Sequence, residues 1–251
     1  MQTIQELIDG YGKVLSNKGL KYAVITNEDA REGGILVVGM NPSGKESSDK
    51  PYDPYKYLEC GTVEGYDSFW TPKHQMMGYR SSLDYDQKCG YVDLFPVRLG
   101  DQAKFAQYND SDNLMMGQLL SITQDYIEAM RPRLIIFANT SDYYWGFRKK
   151  KDITEQTAGV GFWMGYKFQK LCSPLKGIQQ KDYWPYYKIV GIDPSGVNRN
   201  RIKTNLDGTY FLRYRQHEAH GQVVLPEREL KPGDIKTIVE SIDPEWAKSL
   251  L

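Results

Sequence analysis

The stretch Ile35-Leu36-Val37-Val38-Gly39-Met40-Asn41-Pro42-Ser43-Gly44 decides the reading of the fold. Four consecutive branched apolar residues, opened by Gly33-Gly34 and closed by Gly39, predict a strand buried on both faces. That is the pattern of a parallel sheet rather than the alternation of a half-exposed one. The turn that follows is built from Gly39, Asn41, Pro42 and Gly44. In open α/β sheets, ligands bind beyond the carboxyl ends of strands, where such turns sit. Glycine lets the backbone approach a ligand, proline stiffens the loop, and asparagine sets an amide donor and an acceptor at the rim. This turn is the first candidate site.

Gly39-x-x-x-x-Gly44-Lys45 also has the spacing of a phosphate-cradling loop. Such a loop needs Ser or Thr after the lysine to hold Mg²⁺, and Glu46 stands there instead, a carboxylate where phosphate charge would lie. Pro42 removes one of the N–H groups a cradle uses. Pro51 and Pro54 make the following segment a poor start for the helix that would point at phosphate. A nucleotide site using Gly44 and Lys45 is the lesser alternative.

At 251 residues the chain can bury one sizeable core, and is read as a single domain over 1–251. Forty per cent hydrophobic and 25% charged is ordinary globular composition. Thirty-two basic residues balance 32 acidic ones, so any grip on nucleic acid must come from local patches rather than bulk charge. The 19 tyrosines, 5 tryptophans and 8 phenylalanines supply ring faces for a core or for stacking. Cys60, Cys89 and Cys172 are widely spaced and form no CxxC pair, which supports neither a zinc ribbon nor a disulfide framework. His217-Glu218-Ala219-His220 lacks the HExxH spacing and a third ligand. No cofactor and no metal are expected. With no basic-then-apolar leader pattern and no apolar run near about 20 residues, the expected location is the cytoplasm, with no membrane partner.

Thr3 to Leu15 reads as an amphipathic helix with Ile4, Leu7, Ile8, Tyr11 and Leu15 on one face. Residues 44 to about 64 read as a long loop. Cys89 to Arg98 reads as a second strand ending in a proline loop. A helix capped by Ser111-Asp112 runs to Met130, with Met115, Leu119, Ile122, Tyr126 and Met130 along its apolar face. Arg131-Pro132 stops it, and Leu134 to Ala138 is a third buried strand. Tyr187 to Ile192 reads as a fourth. Buried strands alternating with helices predict the α/β class. Arg148-Lys149-Lys150-Lys151 is a basic run, read as a solvated helix end or a phosphate contact.

Gly39-Met40-Asn41-Pro42-Ser43 resembles the first motif of the uracil-DNA glycosylase superfamily. It is closest to the mismatch-specific, thymine-DNA glycosylase-like branch, in which a strand runs into Gly-x-Asn-Pro-Gly/Ser. Tyr66-Asp67-Ser68-Phe69-Trp70 is similar to that branch's Gly-Asn-x-Phe-Trp, with Asp67 in place of Asn. Val92-Asp93-Leu94-Phe95-Pro96-Val97-Arg98 resembles its second strand end, Thr-Asn-hydrophobic-hydrophobic-x-Arg, with Asp93 at the Asn position and Arg98 matching. The helix, Arg-Pro, strand and Asn139 turn is similar to the third strand unit. Asp193-Pro194-Ser195 stands where the family carries His-Pro-Ser or Met-Pro-Ser. The four cysteines of the iron–sulfur branches are lacking.

The resemblance implies a three-layer α/β/α sandwich with a mainly parallel four-stranded central sheet. Its core would span about 33–205, with an aromatic and glycine-rich insertion near 152–186 and an extension over 206–251. It implies monofunctional hydrolysis of the N-glycosidic bond of a flipped uracil or a mismatched or damaged base in DNA. Asn41, Asp193 and Ser195 would form the catalytic set. Gly39, Met40, Pro42, Ser43, Phe69, Asp93 and Asn139 would bind the substrate, with Phe69 stacking on the base and Tyr52 or Tyr55 as rivals for that role. Asn198, Arg199 and Arg201 would contact DNA. The aspartates at 93 and 193 favour the alternative, a nucleic-acid-binding protein of the same fold without excision.

Overall fold

The computed structural model describes residues 4–16, 20, 22, 24–26, 32–42, 55–57, 71–97, 114–139, 142–147, 163–175, 184–194, 196–197, 200–214 and 229–251. Helix α1 (Ile4–Leu15) leads through β1 (Val24–Thr26) to β2 (Ile35–Gly39). Then come β3 (Tyr55–Tyr57), α2 (Thr71–Met76), a 3-10 turn over Asp86–Lys88, β4 (Cys89–Asp93) and α3 (Leu114–Met130). Next are β5 (Leu134–Phe137), a second 3-10 turn over Asp142–Trp145, and the strands β6 (Tyr166–Leu171), β7 (Tyr186–Ile192) and β8 (Tyr210–Arg213). Helices α4 (Pro232–Ile242) and α5 (Pro244–Ser249) close the chain.

Every residue of β2, β4 and β5 is buried, as a run of branched side chains covered on both faces requires. Leu36 and Val38 pack with Leu7, Tyr11 and Leu15 of α1 and Leu119, Leu120 and Ile127 of α3. Ile35 and Val37 point the other way, into Ile235, Ile238 and Val239 of α4 and Trp246 of α5. Helices therefore cover both faces of the sheet, and the molecule is α/β. Helix α3 is buried around much of its circumference, since Met116, Leu120, Thr123, Gln124 and Glu128 are enclosed along with Met115, Leu119, Tyr126 and Met130 of the expected stripe, while Ile122 is half-buried.

The main sheet has six strands, not four, in the order β4-β2-β5-β8-β7-β6. The first four are mutually parallel, with Gly39 opposite Asp93, Val38 opposite Phe137, and Phe137 opposite Arg213. Tyr187–Ile192 does lie in a strand, β7, but that strand runs antiparallel to β8 and to β6. The fourth parallel position belongs to β8, inside the stretch expected to be a C-terminal extension. The physical reason is the route of the chain. After β5 it builds the β6–β7 ribbon first, and only the return from β7 inserts β8 beside β5. Tyr55–Tyr57, within the expected long loop, pairs in parallel with Val24–Thr26 as a separate two-stranded sheet. Among the described residues no helix is long and apolar enough to cross a membrane.

Candidate functional site

The parallel strands β4, β2 and β5 release Asp93, Asn41 and Asn139 side by side at their carboxyl ends. Backbone pairing continues past the strands. Leu94 N donates to Gly39 O at 3.2 Å, Phe95 N to Met40 O at 3.0 Å, and Ala138 N to Val38 O at 2.9 Å. The end of β2 is thus held from both sides, at the sheet end where ligands bind in open α/β folds. Met40 and Pro42 are buried there, and Asn41 is half-buried.

Asn41 Nδ2 donates to Pro42 O at 3.1 Å and lies 3.5 Å from Val97 O. Committing the nitrogen to those carbonyls turns the amide oxygen away from them, as an acceptor. Asp93 is 4% exposed, and both its carboxylate oxygens are sealed from solvent. Close by, Thr123 Oγ1 lies 2.7 Å from Leu94 O and 2.6 Å from Tyr11 Oη. The carbonyl can only accept, so Thr123 spends its proton there and Tyr11 donates to Thr123. Burial raises the Tyr11 hydroxyl far above the ordinary phenol range; the bond to Thr123 opposes that, and the Asp93 charge adds to it. This chain of hydrogen bonds clamps the backbone just beyond Asp93 to α3.

Buried aromatic rings pack over the end of β2. Phe95, beyond β4, meets Tyr144, beyond β5, with centroids 4.9 Å apart in a T-shaped contact. Because β2 lies between those strands, the contact bridges its end. Tyr143 leans on Tyr144 at 4.1 Å and is half-buried. At the carboxyl end of β8, Arg213 Nη2 pairs with Asp142 Oδ2 at 2.5 Å, and its guanidinium lies over the Phe147 ring at 5.2 Å. This ion pair ties the carboxyl ends of β5 and β8 together. It was not read from the sequence, because Asp142 and Arg213 are 71 positions apart and β8 itself was not recognised.

Of the residues expected at the site, the structure brings Gly39, Met40, Asn41, Pro42, Asp93 and Asn139 to neighbouring strand ends. It does not bring Asp193 there by the expected route. Asp193 leaves β7, which passes the amino end of β8, whereas Asn41 and Asp93 leave carboxyl ends. Asp193 N donates to Gly165 O at 2.6 Å, and Val197 N to Trp163 O at 2.7 Å, so this turn is pinned to the entry of β6. Arg201 is engaged within the protein. It pairs with Asp125 and lies 3.7 Å from Glu128 Oε1, so a phosphate would compete with two carboxylates. The Asp125 carboxyl is nonetheless shifted up, burial outweighing Arg201. Ser43, Phe69, Ser195, Asn198 and Arg199 lie outside the described residues, as do the stacking rival Tyr52, the lysine of the P-loop-like alternative (Lys45), and the basic run 148–151.

A second polar cluster lies on the other side of the sheet. His74 Nδ1 is 2.7 Å from Asp86 Oδ1, and the Tyr91 hydroxyl donates to the same oxygen. Exposures of 3%, 1% and 0% enclose all three side chains, so this triad serves the interior rather than a substrate. Among the described residues no group of three or more His, Cys, Asp or Glu side chains is placed to hold a metal ion. Compared with protein-family models, curated proteins and solved structures, the chain finds no match.

Proposed function

We propose that the carboxyl end of β2 carries the active site of a monofunctional DNA base-excision glycosylase of the uracil-DNA glycosylase kind, built on a variant of that fold. The observation that carries the reading is the position of Asn41. It follows an inner parallel strand, flanked by the strand ends bearing Asp93 and Asn139, with its amide nitrogen committed to loop carbonyls. A base-excision enzyme extrudes the nucleotide into a pocket and delivers water to the sugar carbon. The Asn41 oxygen accepts a hydrogen bond from that water and orients it. An amide is a weak base, so the rate must come from stabilising the departing base as an anion, by backbone N–H groups around Met40 and the strand-end loops.

The route of the chain bears on the leaving-group contact. The segment leaving β8 departs at the same sheet end as Asn41, and Asp193 does not. Asp193 is therefore left out of the proposed site, and stabilisation of the leaving base falls to backbone N–H groups at the strand ends.

The test is strand cleavage at abasic sites, using oligonucleotides with uracil, a G·T mismatch, hypoxanthine or an oxidised base. Excision that falls by about 10²–10³ in Asn41→Ala, as for loss of one transition-state hydrogen-bonding group, supports the reading. Undiminished excision in that variant removes the mechanism. The second reading, a nucleic-acid-binding protein without excision, is favoured by Asp93, a carboxylate where a departing anion would be repelled. It predicts no cleavage across the panel and DNA binding that weakens steeply with salt.

A further inference from the structure

The opposite end of the sheet carries a feature that the proposed function does not use. A pocket of about 390 Å³ opens at the amino ends of β5 and β8, lined by Arg131, Arg133, Lys188, Asn205, Asp207 and Tyr210 among others. It is separated from the Asn41 end by the length of the parallel strands, about 13 Å for four residues. Three cations face one carboxylate across it. Two of the three have local explanations. Arg133 Nη2 pairs with Asp243 Oδ2 at 2.9 Å, and its guanidinium lies over Trp246 at 4.8 Å. Arg131 lies at the carboxyl end of α3, where cations are favoured, and reaches Glu32 at 3.3 Å in a solvent-exposed pair.

Lys188 has no such account. It rises from β7 on the face that carries Tyr186 and Tyr210, and is half-buried. Its ammonium lies 5.1 Å from the centre of the Tyr210 ring, and among the described residues it forms no ion pair. Asp207, on the same pocket wall, forms none either. The Tyr210 ring is held by stacking on Tyr186 at 5.6 Å and 19°, so cation and phenol are presented together. Gly208, at φ +91°, keeps this wall open: a Cβ there would meet only the Lys188 side chain, at 3.9 Å. Two backbone N–H groups of the turn are spent, Gly208 N on Ile189 O and Thr209 N on Leu206 O.

We propose that this pocket binds a phosphate group, with Lys188 as the principal contact and Arg131 and the Tyr210 hydroxyl as its flanks. An ammonium that forms no ion pair among the described residues, presented beside a phenol, is placed to bind an oxyanion by charge-assisted hydrogen bonds. The solvent-exposed Arg131 guanidinium supplies a fork that matches phosphate oxygens. A phosphomonoester on a small molecule and a phosphodiester of a nucleic-acid backbone share this chemistry. The site is independent of the excision reading, since none of its residues lies at the Asn41 end.

The experiment is calorimetric titration of the full chain at low salt with three probes. These are inorganic phosphate, ribose 5-phosphate, and a short oligothymidylate lacking terminal phosphates. Saturable binding that weakens about tenfold in Lys188→Ala, recovers in Lys188→Arg and is unchanged in Asn41→Ala is the expected result. Binding confined to the first two probes assigns a phosphomonoester, and binding that extends to the oligonucleotide assigns backbone phosphate. The proposal is overturned if none of the probes saturates below about 10 mM, or if Lys188→Ala binds as the unaltered protein does while melting at the same temperature.

Discussion

The two halves of the sheet are held by different physics. In the parallel half, β4, β2, β5 and β8, strand after strand is buried, and the contacts are aliphatic: Leu36 and Val38 against α1 and α3, Ile35 and Val37 against α4. The antiparallel ribbon of β6 and β7 is half-exposed, with Lys167, Gln169, Lys170 and Val190 in solvent. Phe168 stacks on Phe147 at 3.9 Å and Ile189 and Ile192 join the core, and to this aromatic and aliphatic packing the ribbon adds a close polar joint. Glu128 of α3 accepts from the Tyr166 hydroxyl at 2.9 Å, the Thr204 hydroxyl at 2.6 Å and the Asn205 N–H at 2.6 Å. Backbone meets backbone where no Cβ fits: at Gly165 one would lie 2.6 Å from Asp193 O, and at Gly146 one would lie 2.4 Å from Tyr166 O. The parallel half tolerates hydrophobic exchange of similar volume, whereas the ribbon depends also on particular atoms.

The largest expected effect lies at the joint between the halves. Glu128→Ala leaves a tyrosine hydroxyl, a threonine hydroxyl and a backbone N–H without their acceptor, and removes the second carboxylate beside Arg201, which keeps Asp125. A loss of about 3–5 kcal/mol in urea unfolding is expected, the size seen when one partner of a buried ionic cluster is removed. Glu128→Gln, which keeps an acceptor oxygen, should lose less. A loss below about 1 kcal/mol for the alanine variant would mean that the ribbon is held by apolar contact alone.

Leu36→Ala probes the other half. Leu36 is fully buried in the inner strand, so a cavity cost of about 2–5 kcal/mol is expected, with no sensitivity to ionic strength. If salt shifts its stability difference, the contrast drawn above between the halves fails. Gly165→Ala comes next. Its φ of +85° and its approach to Asp193 O together imply about 1–3 kcal/mol, read as a lowered melting temperature. Because the strain sits at the ribbon's entry, loss of protection in β6 and β7 amides by hydrogen exchange should exceed that in β2 and β5.

The smallest effect is electrostatic and lies at the sheet's amino end. The hydrogen bond from Arg133 is the main cause that lowers the Asp243 carboxyl below its ordinary value, with the N–H groups of Trp246 and Glu245 adding to it. A depressed folded value means a contribution present above the unfolded pKa, near 4, and lost as pH falls through the folded value. Arg133→Ala should therefore reduce stability slightly at pH 6–7, with the difference narrowing as pH falls below the ordinary carboxylate range. A difference that instead widens in acid would reverse the sign assigned to this pair.

Much of this architecture was legible. Ile35–Gly39, Cys89–Asp93 and Leu134–Phe137 announce themselves because a strand covered on both faces must be apolar at every position. Leu7, Tyr11 and Leu15 mark α1 by their spacing. The neighbourhood of Asn41, Asp93 and Asn139 followed, since parallel strands of one sheet end on the same side. Tyr210–Arg213 was missed because four residues are too few for a period. The Asp207-Gly208 turn before an aromatic and apolar run was the available signal. The direction of β7 was misjudged for a different reason: a strand's residues do not say which way its neighbour runs.

By itself, then, the chain's order of residues determined the α/β class, the buried inner strands, and which polar side chains sit at their ends, because burial periodicity and turn chemistry are local. Only the tertiary structure decided that β8 completes the parallel set, that Asp193 leaves with the ribbon, that Arg201 is engaged by Asp125 and Glu128, and that Lys188 faces a pocket while forming no ion pair among the described residues. Those outcomes depend on pairings between residues up to about a hundred positions apart, and such pairings are chosen by the packing of the whole sheet.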